Sequence, residues 1–406
     1  MAAPGAHSGD KCSAAGARVA GPSDVALQIP MQVQRITLGQ FRRFEQAQWS
    51  PQPGINLLTG GNGIGKTSYL EALHLVSYGR SFRGRVRDGL VRLQQPALEV
   101  FVQWQAGEGE GSQVHRGGLR HSGQEWSARL DGEDVPQLGQ LCAALAVVTF
   151  EPGSHVLISG GGEARRRYLD WGLFHVEPGF TPLWRRYSRA LKQRNALLKQ
   201  GAGRHALEAW DHELALAGEP LTDARLQYLA RLQEQVVPLA AAIAPELQLH
   251  GLEYQPGWRR HDMPLADALL LAQERDRAQG HTSVGPHRAD WSVRLEGLPG
   301  RELLSRGQAK LAALACLLGQ AADFAAERGH WPVLCLDDLG SELDHRHLAW
   351  ILDWLQCTGT QALVTATEVP QAFHGRPHAL FHVEHGGDAV PATAPDAAGG
   401  GAATLV

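Results

Sequence analysis

The chain has 406 residues, 43% of them apolar, and carries 38 Lys and Arg against 42 Asp and Glu for a formal charge of −4. That length supports one large domain or two smaller ones with cores of their own. The near-neutral balance excludes a polycation drawn to nucleic acid over its whole surface, so any DNA contact has to come from local basic patches.

In chain order, residues 1–30 are rich in Ala, Gly, Ser and Pro and lack the apolar stretch of a signal peptide; they read as a disordered extension, with Met31 an alternative start. Residues 33–38 alternate like a strand, and 54–59 read as a buried strand feeding Gly60-Gly61-Asn62-Gly63-Ile64-Gly65-Lys66-Thr67. Residues 67–78 follow with Leu70, Leu73 and Val76 at helical spacing. This strand–loop–helix context is what a phosphate-binding loop requires. Its backbone N–H groups wrap phosphate oxygens, Lys66 neutralises the β- and γ-phosphates, and the Thr67 hydroxyl ligates Mg²⁺, so the loop predicts ATP with Mg²⁺. Only five lysines occur, at 11, 66, 192, 199 and 310, in a chain that otherwise uses arginine. A Lys at 66 suits a slim point charge rather than a planar fork.

Residues 95–150 read as short strands with Gly-rich turns, among them 98–104 and 146–150. From 163 to about 280 the pattern becomes helical and charged: 183–200, 206–218, 221–238 and 264–279 read as helices, with Pro220 and Pro238 expected to kink or end them. After residue 282 strands return. Ser305-Arg306-Gly307-Gln308 heads an apolar-striped helix reaching about residue 327, for which two readings stand: Ser305 is an ordinary helix cap, or a small hydroxyl and glycine at a helix tip approach a γ-phosphate. Residues 333–336 form an apolar strand ending in Asp337 and Asp338; Asp337 suits the metal and Asp338 an attacking water. Residues 362–365 are a further apolar strand, and 386–406 read as a disordered tail. No internal repeat is evident. The cysteines at 12, 142, 316, 335 and 357 include no C-x-x-C pair, which fits reduced, mostly buried thiols in a cytoplasmic protein. No apolar run approaches the roughly 20 residues of a bilayer span.

Further segments make a resemblance specific: Gly79-Arg80-Ser81-Phe82-Arg83, Arg167-Tyr168-Leu169-Asp170-Trp171-Gly172, Gly285-Pro286-His287-Arg288-Ala289-Asp290, Leu304-Ser305-Arg306-Gly307-Gln308, Ser341-Glu342-Leu343-Asp344 and Phe381-His382-Val383-Glu384-His385-Gly386. In this order they resemble the RecF family, bacterial recombination-repair ATPases of the ABC class related to SMC proteins. The likeness runs from about residue 33 to 386. It implies an α/β fold: an ABC-type P-loop ATPase head (31–162 and 282–385) interrupted by a compact α-helical arm (163–281). It also implies an ATP-dependent homodimer in which Ser305, Arg306, Gly307 and Gln308 act in trans, with Asp344 in the D-loop. The dimer binds duplex DNA and single-strand/duplex junctions without sequence preference and hydrolyses ATP slowly. RecO and RecR are the implied partners, RecA loading at gaps and stalled forks the implied task, and recombinational repair and the SOS response the setting.

Phe41-Arg42-Arg43-Phe44 matches a loop near the nucleotide in relatives, so Arg42 is either a nucleotide contact or half of a solvated Arg pair. Asp338 stands where many ABC ATPases have Glu, a shorter carboxylate that agrees with slow turnover. No switch His follows residues 362–365; Thr367 is the candidate γ-phosphate sensor, and residues 148–152 the region for a Gln-loop. The basic clusters at Arg80, Arg83, Arg85 and Arg87, at Arg165, Arg166 and Arg167, and at Arg185, Arg186, Arg189, Lys192 and Arg194 are DNA contacts or solvated helix faces. Without a base-reading motif, binding is expected to be backbone-directed and salt-dependent. A transporter ATPase is disfavoured by the spacing of about 240 residues between loop and signature. A long SMC tether is disfavoured by an arm of only about 100 residues. Intact Lys66, Thr67, Asp337 and Ser305 disfavour a non-catalytic scaffold.

Overall fold

The computed structural model describes residues 30–84, 89–106, 113–297, 304–384 and 386–392. Residues 1–29 of the expected extension, 393–406 of the expected tail, Arg85, Arg87 and His385 lie outside the described residues; residues 389–391, also expected in that tail, form a strand of the large sheet.

The elements in order are β1 (Gln32–Phe41), β2 (Phe44–Trp49), β3 (Ile55–Thr59), α1 (Lys66–Tyr78), β4 (Leu98–Ala106), β5 (Gln113–His121), β6 (Trp126–Leu130), β7 (Glu133–Asp134), α2 (Leu138–Ala144), β8 (Val147–Phe150), α3 (Val156–Ser159), α4 (Gly162–Val176), α5 (Phe180–Lys199) and α6 (Arg204–Ile243). Then come β9 (Leu249–Gln255), α7 (Leu265–Gln279), β10 (Asp290–Leu295), α8 (Arg306–Arg328), β11 (Val333–Leu336), α9 (Leu339–Glu342), α10 (His345–Thr358), β12 (Ala362–Thr365), β13 (Ala379–Val383) and β14 (Ala389–Pro391).

Among the described residues one twelve-stranded sheet runs β7-β6-β5-β4-β1-β2-β14-β13-β3-β12-β11-β8. The β7–β2 half is antiparallel throughout, and β1 alternates buried with less buried residues, as one covered face demands. Neighbours from β13 to β8 are parallel. Here β3, β8, β11 and β12 are buried at every position, which explains why apolar residues predominate in them. Helix α1 is buried along nearly its whole length. The carboxyl ends of β3, β12, β11 and β8 therefore lie side by side, the crevice where open α/β sheets bind ligands.

Expectations change in the helical segment. Residues 206–238 form no pair of helices broken at proline: α6 is one 40-residue helix with Pro220 and Pro238 inside it. The two carbonyls that lose their N–H partners belong to Leu216 and Glu234, both exposed residues. The helical segment also holds a strand, β9, which pairs antiparallel with β10 in a separate two-stranded sheet rather than with the large one. Helix α8 has the length and hydropathy to cross a membrane, but 78% of that stretch is buried. It packs against α6, β8 and α3 as a core helix. The four described cysteines are unbridged, and Cys142, Cys316 and Cys335 are buried.

Candidate active site

The loop after β3 folds back on itself beneath α1. Gly65 has φ 114, and a Cβ there would lie 2.0 Å from the Phe44 ring, so only glycine lets β2 approach the loop this closely. Cβ atoms at Gly61 and Gly63 would meet nothing within 4 Å, which leaves the outer rim of the loop clear for a ligand. No side chain caps α1 and no acidic residue occupies its first turn, so its positive end faces the loop uncompensated. The Lys66 ammonium, on a side chain with little exposure, donates to the carbonyls of Gly60 (2.6 Å) and Gly61 (3.0 Å). Burial lowers its pKa, while Asp338 and Asp337 pull it upward. A cation short of counter-charge, at an uncapped helix end, fits a polyphosphate.

Asp337, 4% exposed, follows β11. Its Oδ1 accepts from the Thr67 hydroxyl (2.8 Å) and the Thr365 hydroxyl (2.7 Å). Thr365, at the end of β12, in turn accepts from the Asp338 N–H (2.9 Å). Burial raises the Asp337 pKa against the pull of those two hydroxyls. A desolvated carboxylate beside the Thr67 oxygen fits a hard divalent cation. Among the described residues no group of three or more His, Cys, Asp or Glu side chains is placed to hold a metal, so such an ion would draw its other ligands from phosphate and water. Asp338 takes the left-handed conformation (φ 52) that Asp tolerates, and its Oδ1 accepts from Ser341 Oγ (2.9 Å). Glu151 follows β8; burial raises its pKa, the neighbouring Asp337 charge adds to the shift, and Arg83 opposes it.

The signature residues stand apart from this cluster. Ser305 caps α8 in a reciprocal box: Gln308 N–H donates to Ser305 Oγ (3.2 Å), and Ser305 N–H to Gln308 Oε1 (3.0 Å). Ser305, Arg306 and Gly307 are exposed, and none of their described hydrogen bonds reaches the glycine loop. Asp344 caps α10 by accepting from His347 N–H (2.9 Å), a bond that lowers its pKa. Thr367 is exposed; Thr365, two residues earlier, is the threonine on Asp337.

Several arginines do other work than the sequence patterns foresaw. Arg42 forks onto the buried Glu71 (2.8 and 2.6 Å), while its neighbour Arg43 donates to the Gly63 carbonyl of the loop. Arg165, read as a DNA contact, is 1% exposed; it pairs with Asp290 and donates to the carbonyls of Leu157, Ile158 and Gly160, so it is a core residue. Arg194 is likewise buried, against Asp211 and Asp276. Arg166 donates to the Ala289 carbonyl (2.7 Å), exposed Arg167 pairs with Glu163, and exposed Arg186 with Glu213. Arg80 is partly buried, and burial and then Arg167 lower its pKa. Arg83 is exposed, and its charge acts on Asp337. Arg185, Arg189 and Lys192 are exposed on α5.

The segments around 167–172 and 285–290 meet each other. Arg225 forks onto Asp170 (2.8 and 2.9 Å) and donates to the Pro286 carbonyl (2.7 Å). A Cβ at Gly172 would lie 1.7 Å from the Tyr228 hydroxyl. His287 Nε2 donates to the Thr282 carbonyl (2.9 Å), which leaves Nδ1 to accept from the Tyr187 hydroxyl (2.7 Å). Burial lowers the His287 pKa to about 4, keeping it neutral.

Thr365, Glu151 and Arg43 escaped the sequence reading as site residues. Their signals were a hydroxyl closing an apolar strand, an acid closing another within 148–152, and a second arginine beside Arg42.

A glycine loop after the first parallel strand, paired aspartates at a neighbouring strand end and a separate serine-capped helix define an ABC-type ATPase head of the kind found in SMC proteins. Residues 32–386 match the model of the RecF/RecN/SMC N terminal domain. The DNA replication and repair protein RecF of Stenotrophomonas maltophilia (strain R551-3) is 66% identical over 357 residues, covering 87% of this chain and 98% of that protein. RecF of Thioalkalivibrio sulfidiphilus (strain HL-EbGR7) is 40% identical over 359 residues, 88% of this chain and 98% of that one. A solved structure of the recombination mediator RecF with an ATP analogue superposes with TM-score 0.79 at 27% identity, over 90% of this chain and 99% of that one. The Smc head of Pyrococcus furiosus, at 13% identity and TM-score 0.52 over 89% and 96%, shares the fold. The chain belongs to the RecF family.

Proposed function

We propose that this protein is an ATP-driven DNA-repair switch: ATP closes two copies on DNA, and slow hydrolysis reopens them. The observation that carries this reading is the cluster of Lys66, Thr67, Asp337 and Thr365 at the carboxyl ends of three adjacent parallel strands.

In this reading the Gly60–Thr67 loop and the α1 terminus wrap the phosphates, and Lys66 exchanges its carbonyl partners for β- and γ-phosphate oxygens. Thr67 and Asp337 would hold Mg²⁺, which would supply charge neutralisation at those phosphates. Thr365 fixes the Asp337 carboxylate and the Asp338 backbone at once. Asp338 accepts a proton from water as the water oxygen attacks the γ-phosphorus; the bond to the bridging oxygen breaks, and ADP and phosphate result. Arg43 steadies the loop rim through Gly63, and Arg83 adds positive charge beside the acids. Ser305, Arg306, Gly307 and Gln308 close over the triphosphate held by a second copy, with Asp344 near the seam; Ser305, Arg306 and Gly307 are exposed, as such a contact requires. Thr367 is retained only as a secondary contact.

The head comprises 31–162 and 282–385 and the arm 163–281, with β10 packed onto the arm through β9. Arg185, Arg189 and Lys192 offer DNA a basic face, with Arg80, Arg166, Arg167 and Arg186 beside neighbouring acids or carbonyls. Duplex and junction DNA are bound through their backbones. RecR and RecO are the partners, RecA loading in the cytoplasm the outcome.

Gel filtration and filter binding of Asp338→Asn with ATP and duplex DNA test the reading. The variant is expected to accumulate as a DNA-retaining dimer, whereas Lys66→Arg keeps much of its nucleotide binding and loses hydrolysis. An Asp338→Asn protein that stays monomeric with ATP and DNA overturns the switch.

A further inference from the structure

Lys310 lies in the second turn of α8, five residues past the serine that caps it. Its ammonium pairs with the Glu342 carboxylate of α9, and the two side chains are 15% and 12% exposed. Glu342 closes the one-turn helix that Asp338 opens. The N–H groups of Ser341 and Glu342 both donate to the Asp338 carbonyl (3.0 and 3.2 Å), and Ser341 Oγ bonds the Asp338 carboxylate (2.9 Å). An ordered path thus runs from Ser305 along α8, across one ion pair, to Asp338. The charges facing Glu342 are Lys310 on α8 and Glu151 at the end of β8, with Asp337 beyond it. Without Lys310, Glu151, Asp337 and Glu342 would crowd one poorly hydrated region, and a buried carboxylate that loses its partner is strongly disfavoured where it stands.

We propose that Lys310 and Glu342 are positioning residues for hydrolysis: their pair ties the signature helix to the turn carrying Asp338, so that the placements of Ser305 and Asp338 are set together. This rests on the roles given to Ser305 and Asp338 above. Neither Lys310 nor Glu342 touches the glycine loop in the described contacts; their effect passes through Asp338.

The test uses the full chain with ATP and duplex DNA, comparing Lys310→Met, isosteric Glu342→Gln and the charge-reversed double variant Lys310→Glu/Glu342→Lys. Each single variant is expected to bind a fluorescent ATP analogue within about threefold of wild type and to dimerise with ATP, while kcat falls about tenfold or more, as for a misplaced reacting group. The reversed pair is expected to recover most of the lost kcat. Thermal melts identify folded protein; if Lys310→Met does not fold, Glu342→Gln carries the comparison. Folded single variants with wild-type kcat overturn the proposal, as does a reversed pair no faster than the singles. A wild type that neither dimerises with ATP nor hydrolyses it sinks the proposed function and this inference with it. A wild type that does both, beside unaffected variants, sinks only the inference.

Discussion

Thr365→Val is the substitution that most cleanly separates the hydrolysis machinery from nucleotide binding. Valine matches threonine in shape and suits a strand end that is 1% exposed, so packing is preserved and the hydroxyl alone is lost. That hydroxyl makes two bonds, to Asp337 Oδ1 (2.7 Å) and from the Asp338 N–H (2.9 Å). Losing a bond to a carboxylate costs about 1.5–3 kcal/mol, and a buried N–H left without an acceptor about 1–3 kcal/mol. The added buried methyl returns about 0.8 kcal/mol. A net destabilisation of about 2–5 kcal/mol is expected, read as a lower urea midpoint with an unchanged slope. Because both aspartates lose their shared anchor, kcat should fall about tenfold or more, while ATP affinity, set by the glycine loop and Lys66, changes less than about threefold. An unchanged urea midpoint together with wild-type turnover would refute the role given to Thr365.

Two further predictions concern stability. Arg165→Met should destabilise the protein by about 3–5 kcal/mol, because it removes a buried cation facing Asp290 and the donor to three carbonyls; DNA affinity per folded molecule should not change, and a selective loss of DNA binding in a protein of normal stability would restore Arg165 to the DNA face. Burial lowers the pKa of His74 and His175 to about 3 and of His287 to about 4. The unfolded chain takes up these protons below about pH 6.5 while the folded one does not, so stability is full above that pH and drains as pH falls toward 4. Each histidine costs about 1.4 kcal/mol at pH 5.5, together about 4 kcal/mol; equal urea midpoints at pH 7.5 and 5.5 would contradict this.

The glycine loop, its strand and its helix were legible because each depends on neighbouring residues: spacing of glycines, a short largely apolar run, a helical stripe. Runs 333–336 and 362–365 likewise emerge as β11 and β12. What the sequence left open was the order β3-β12-β11-β8. Parallel neighbours are joined by long crossovers and leave no local register signal. Thr365 and Glu151 become site residues only once that order puts them beside Asp337. Arg165 left its basic run for a different reason. Consecutive helical residues point about 100° apart, so Arg165, Arg166 and Arg167 face three directions: inward to Asp290, sideways to the Ala289 carbonyl, and outward to Glu163. Nothing local marks Asp290, 125 residues away, as the partner of the first. In α6, Pro220 and Pro238 read as breaks because the sequence does not reveal that the carbonyls they free belong to exposed residues.

The most direct measurement is a structure of the Asp338→Asn protein loaded with ATP and bound to duplex DNA. The account predicts two copies with each triphosphate gripped by one copy's Lys66 and the Ser305 hydroxyl of the other within about 3 Å of its γ-phosphate. A loaded form in which Ser305 remains folded onto Gln308 and turned to solvent, away from any phosphate, would contradict it.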